Sequence, residues 1–100
     1  MFTHIVLWKL QENAGGRTRA ENARLMKERF DEIANMLDGL RRMDVGVNVI
    51  PGSDAADIAL YSEFETRAAF EAYIEHPAHQ ALAGFIKDVR SERRVIDYEN

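Results

Sequence analysis

The sequence predicts an α+β protein of the ferredoxin-like class: a four-stranded antiparallel sheet with helices on one face. Two observations lead there. Hydrophobic periodicity changes along the chain in the order strand, helix, strand, strand, helical pair, strand. In addition, the first strand is apolar on both faces, whereas a sheet with one wet face would alternate apolar and polar residues. The cover on its second face is most simply the sheet of an identical subunit, so a homodimer is expected. The 100 residues are read as one domain spanning 1–100.

From Phe2 to Leu10 the chain is rich in β-branched and aromatic residues, with Phe2, His4, Val6, Trp8 and Leu10 on one face and Thr3, Ile5, Leu7 and Lys9 on the other. "NAGG" breaks this strand as a turn. "TRAE" at 18–21 then reads as a capping box, in which Thr18 satisfies a free amide and Glu21 reaches back. Met26, Phe30, Ile33 and Leu37 form the apolar stripe of the helix that follows, and Asp38 and Gly39 are expected to end it. Met43, Val45, Val47 and Val49 alternate up to a loop at "PGSD", and Ile58, Leu60 and Phe64 alternate after it. Thr66 is placed to cap a helix whose inward face carries Phe70, Tyr73 and Ile74. Pro77 suits the first position of another helix, with Leu82, Phe85, Ile86 and Val89 as its stripe, and Val95 to Tyr98 supply the last strand.

Composition narrows the function classes. Apolar residues at 46% and charged ones at 30% describe a globular chain, and 13 Lys and Arg against 17 Asp and Glu leave a net charge of -4. That balance lacks the basic footprint of a nucleic-acid binder, so no nucleic-acid partner is expected. The opening segment has no basic region or small-residue cleavage site and is not read as a signal peptide. No apolar stretch approaches the roughly 20 residues that cross a bilayer, so no membrane partner is expected and a cytoplasmic location follows by default. With no cysteine there are no disulfides, thiolate nucleophiles or Cys-based metal centres.

Chemistry concentrates in the three histidines. His79 lies three residues before Leu82 and seven before Ile86, which turns it toward the sheet. A lone inward histidine is most often satisfied by a backbone carbonyl. Tyr73 and His4, however, also sit on otherwise apolar faces, and three polar tips are more than a core this size accepts without a use for them. His76 precedes Pro77, is held outside the helix, and is expected to contact neighbouring backbone as a cap. Trp8, Phe30 and Phe70 are expected as pocket wall or support. The spacing of His76 and His79 would suit a metal only on one continuous helix, so no metal site and no cofactor is expected. Asp54 and Asp57 could hold a hard cation weakly at the surface, a nonspecific signal. "NAGG" lacks a phosphate-loop Lys, and no serine stands in a nucleophile context.

The segments "HIVLWKL", "VGVNV", "DIALYSEFETRAAFEAYIEHPAHQALAGFI" and "RVIDYE" resemble the stress-responsive dimeric α/β barrel (Dabb) family over nearly the whole chain. Its most specific part is "YIEHPAHQ" together with an N-terminal "HIV". The resemblance implies a ferredoxin-like protomer whose sheet packs on that of a partner to form a dimeric α/β barrel. Most members of that family are described by fold and stress induction and not by a reaction. One plant branch contains polyketide cyclases, which close a poly-β-keto chain by intramolecular aldol condensation without a cofactor, and its working residues resemble His4, Tyr73 and His79. The residues shaping the cyclase's alkyl pocket have no match here, so its substrate does not carry over.

Two readings follow and stay open at the level of sequence. In the first, a cofactor-independent enzyme acts on a small, partly apolar carbonyl compound. His79 is its general base, Tyr73 donates a hydrogen bond to the developing enolate, and His4 positions the substrate or shares the negative charge. In the second, a non-catalytic dimer binds a small ligand in stress, and the same three side chains form a supporting polar cluster. A cofactor-free monooxygenase or isomerase of a related dimeric barrel rests on fold analogy alone.

Overall fold

The computed structural model describes every residue from Met1 to Asn100. Strand β1 (Phe2–Leu10) leads into a miniature hairpin of β2 (Asn13–Ala14) and β3 (Arg17–Thr18). Helix α1 (Arg19–Ala34), strands β4 (Leu40–Val47) and β5 (Ile58–Phe64), helices α2 (Arg67–Glu75) and α3 (Pro77–Val89), and strand β6 (Arg90–Glu99) complete the chain. The sheet is antiparallel in the order β4-β5-β1-β6, so the ferredoxin-like class is the observed one. No helix is long and apolar enough to cross a membrane.

Local chemistry accounts for most boundaries. At the β2-β3 hairpin, Gly15 and Gly16 both take positive φ (61° and 76°), as a two-residue turn matching strand twist requires. Thr18 Oγ1 accepts from the Glu21 N–H at 3.2 Å while Glu21 Oε1 accepts from the Thr18 N–H at 2.9 Å, closing the capping box that starts α1. Thr66 Oγ1 likewise accepts from the Ala69 N–H at 3.1 Å at the start of α2.

Three boundaries differ from the sequence expectation. Helix α1 stops at Ala34 rather than near Asp38: the Asn35 N–H bonds back to the Glu32 and Ile33 carbonyls and its side chain donates to the Asp31 carbonyl, tightening the last turn. Leu37 therefore packs against the core from outside the helix. Strand β4 begins at Leu40 and ends at Val47, leaving Val49 87% exposed, so the alternation of valines outruns the pairing that would support it. Strand β6 starts at Arg90, straight after α3, rather than at Val95. As an edge strand exposed along nearly its whole length, it carries no apolar alternation to announce it.

The helices cover one face of the sheet. There Val6, Trp8, Phe30, Ile58, Leu60 and Phe64 are all buried in one core. The opposite face leaves Leu7, Ile96 and Tyr98 exposed, so the cover expected for it is not supplied by this chain. Gly39, with φ 78°, turns the chain into β4, and a Cβ added there would lie 2.7 Å from Ala69 Cβ of α2. Gly39→Ala should therefore cost about 2 kcal/mol or more, through the left-handed backbone and the clash together, in urea denaturation. A variant as stable as the parent would show that α2 moves aside freely.

Candidate active site

The register of β1 decides what lies beside His4. It stands opposite Ser62 of β5 and Asp97 of β6, and paired residues share a face of the sheet. Ser62 Oγ donates to the His4 carbonyl at 3.0 Å, and His4 Nδ1 pairs with Asp97 Oδ1. Because a carboxylate only accepts, His4 must carry its proton on Nδ1, and its Nε2 holds the lone pair in the neutral ring. Four residues further along the same strand pair, Trp8 stands opposite Arg93.

Helices α2 and α3 bring the other two candidates to the same face. Tyr73 is 2% exposed, with its ring centroid 4.4 Å from that of His79 and 6.3 Å from that of His4. His79 Nδ1 lies 3.1 Å from the Ile74 carbonyl. A carbonyl also only accepts, so the Nδ1–H donates and Nε2 is again the free base. His76 behaves differently. Its backbone is extended (φ -61°, ψ 133°), as the following proline demands, and its Nδ1 accepts from the Ala78 N–H at 3.0 Å. It caps α3 and does not line the pocket. Phe70 is also outside the lining; it stacks on Phe2 at 4.5 Å and supports the His4 ring at 4.9 Å.

His4, Tyr73, His79, Trp8 and Phe30 together line a pocket of about 360 Å³ between the sheet and α3. Volumes of this order suit a small organic ligand. Two of its buried polar atoms, the Tyr73 hydroxyl and Trp8 Nε1, have no hydrogen-bond partner in the protein. Leaving such groups unsatisfied costs about 1–3 kcal/mol each, so a pair of them on one cavity is a feature that folding alone does not favour. A somewhat larger cavity, about 400 Å³, lies between the start of α1 and the segment after β4, but it has no counterpart to this set. Its charged residues, Arg19 and Asp57, face each other at 3.7 Å.

Burial sets the protonation of the site. It pushes both imidazoles below their usual 6.5, outweighing the hydrogen bond of Asp97 to His4 and that of the Ile74 carbonyl to His79. Both rings are therefore neutral at pH 7. Burial pushes the Tyr73 phenol up, opposed by the charge of Arg93, so the hydroxyl keeps its proton and can donate. The site thus offers two free imidazole bases and two unpartnered donors, a set that can remove a proton next to a carbonyl and receive the resulting oxyanion. No group of three His, Asp or Glu side chains converges to hold a metal ion.

Asp97 and Arg93 complete the surroundings, and the sequence does not single them out. Both lie on β6, where only strand register shows that Asp97 meets His4 and Arg93 meets Trp8. Because the Tyr73 hydroxyl has no partner to lose, Tyr73→Phe should leave unfolding free energy unchanged or raise it by up to about 1 kcal/mol. A loss larger than about 1 kcal/mol in urea denaturation would mean that the hydroxyl supports the fold.

The family model for the stress responsive A/B barrel domain matches residues 2–100. An uncharacterized protein of Streptomyces coelicolor is 31% identical over 101 residues, covering 99% of both chains. A dimeric protein of unknown function and ferredoxin-like fold from Bacteroides fragilis superposes with a TM-score of 0.76 at 29% identity, over 99% of this chain and 95% of that one. Hydroxynitrile lyase from Passiflora edulis superposes with a TM-score of 0.80 over 97% of this chain and 90% of its own, and at 16% identity it shares the fold alone. A match that runs from Phe2 to the last residue, joined to a relative of the same length, places the chain in the stress responsive A/B barrel domain family.

Proposed function

We propose that the protein is a cofactor-independent enzyme that removes a proton adjacent to the carbonyl of a small, partly apolar compound. The observation that carries this reading is the unpartnered Tyr73 hydroxyl, buried on the same pocket as two neutral imidazoles. His79 is the general base, through the Nε2 left free by the bond to the Ile74 carbonyl. Tyr73 donates to the developing enolate oxygen. The tautomer that Asp97 imposes changes the part expected of His4: its Nε2 accepts and does not donate, so His4 positions a substrate hydroxyl or acts as a second base. The second donor to the oxyanion is then the Trp8 indole N–H, which also lacks a partner. The fold accommodates an enzyme, since a hydroxynitrile lyase shares it.

The functional unit in this reading is a homodimer. The exposed Leu7, Ile96 and Tyr98 of the helix-free face supply an apolar surface, and the Bacteroides fragilis relative is dimeric. Leu7→Lys should then sediment at the mass of a single chain, whereas a parent protein that is itself monomeric would rule the dimer out.

Catalysis can be tested by following deuterium incorporation next to the carbonyl of 4-phenyl-2-butanone in D2O by NMR. The wild type should exceed the buffer rate, with His79→Ala lowering it by about 10²- to 10⁴-fold and Tyr73→Phe by about 10²- to 10³-fold. The base must be neutral to work, and burial holds its pKa below the usual 6.5, so the rate should rise with pH through a midpoint below 6.5 and then level off. Full exchange in folded His79→Ala removes this residue as the base. Saturable quenching of Trp8 fluorescence without exchange would favour a ligand-binding protein over an enzyme.

A further inference from the structure

The proposed carbonyl substrate enters a pocket whose charge is one-sided. The chain as a whole carries a net charge of -4, yet the pocket is lined by Lys87, Arg90 and Arg93 and by no Asp or Glu. None of these three cations makes an ion pair. Lys87 has a structural explanation, since it sits in the last turn of α3 where a cation complements the helix dipole. Arg90 occupies the C-cap of the same helix. Arg93 has no such explanation: its side chain takes part in no hydrogen bond or ion pair, and it lies opposite Trp8 on the pocket face of the sheet. Its charge reaches inward far enough to disfavour protonation of both His4 and His79 and to favour ionisation of Tyr73.

We infer that the ligand of this pocket is a keto acid, whose carboxylate sits on Arg93 at the α3–β6 mouth while its carbonyl reaches the Tyr73 hydroxyl and the Trp8 indole N–H. This rests on the reading of the pocket as a carbonyl site and adds the class of substrate to it. A planar guanidinium matches a carboxylate in two parallel hydrogen bonds, and a pocket of about 360 Å³ admits a ligand of the size of an aryl keto acid. The arrangement also has a chemical use. Anchoring the acid at the rim fixes the carbonyl at the donors and brings its adjacent C–H toward the imidazoles, so that binding energy far from the reacting bond orients it. The basic rim on an acidic protein attracts anions to the pocket mouth and not to the surface at large.

The protein carries its own reporter, because Trp8 is the sole tryptophan and lies in the pocket wall. Titrating its fluorescence with 4-oxo-4-phenylbutanoate and with the methyl ester of that acid compares two ligands that differ in the charge and one methyl group. The acid should bind about tenfold tighter than the ester at low salt, and high salt should narrow the gap by screening. Arg93→Gln, an exposed position with no partner to lose, should abolish the preference while leaving ester affinity and melting temperature unchanged. Equal affinity of acid and ester for the wild type overturns the inference, as does a preference that survives Arg93→Gln. Displacement of the acid by inorganic phosphate at lower concentration than by acetate assigns the rim to phosphate and likewise overturns the keto acid. Proton exchange separates this outcome from the catalytic reading: acid-selective binding without exchange leaves the anion site standing alone, and equal exchange on acid and ester leaves the base standing without it.

Discussion

The pairing of β1 with both β5 and β6 is the constraint on which the rest depends. It holds one strand between two antiparallel neighbours and fixes, residue by residue, what each β1 side chain meets. Since paired residues share a face and successive residues alternate, a slip of one position would turn His4 and Trp8 out of the pocket and put either Thr3 and Leu7 or Ile5 and Lys9 in their place. The burial of Phe2, Val6 and Leu10 on the same face as His4 makes that slip costly. Apolar residues with no chemical role thus hold the polar ones in place.

The second level of control is the state of the imidazole rings. Both histidines give their Nδ1–H to an oxygen, one to a carboxylate and the other to a backbone carbonyl. The two acceptors differ in origin. The Ile74 carbonyl is freed near the end of α2 because Pro77 starts a new helix two residues beyond Glu75, so a local break in helix geometry orients His79. Asp97 is 93 residues from His4 in sequence and reaches it only across the sheet. Local and long-range structure therefore converge on one outcome, a ring held by its Nδ1–H with Nε2 free, by separate routes.

The site also illustrates how stability and chemistry compete. The apolar setting that disfavours protonated imidazoles leaves the Tyr73 hydroxyl and the Trp8 N–H without partners. Phenylalanine at 73 would fill the same space without that cost. The capping box at Thr18, the glycine turn at 15–16 and the closed aromatic packing around Phe64 satisfy their local rules, whereas the pocket departs from them. Such a departure is expected where groups serve a ligand.

What the sequence determined by itself was local or periodic. The order of elements, the caps at Thr18 and Thr66, the helix start at Pro77, the role of His76 as a cap and the inward aim of His4, Tyr73 and His79 all follow from spacing over a few residues. The tertiary structure decided what depends on partners distant along the chain. Helix α1 ended early on an Asn35 cap that the hydrophobic stripe running on to Leu37 concealed, and the valine alternation past Val47 had no neighbouring strand to pair with. Asp97 and Arg93 lie on an exposed edge strand whose polar residues carry no periodic signal, so their places beside His4 and Trp8 exist only in the register of β6 on β1. Periodicity shows which face a side chain occupies, and strand register alone shows whom it meets there.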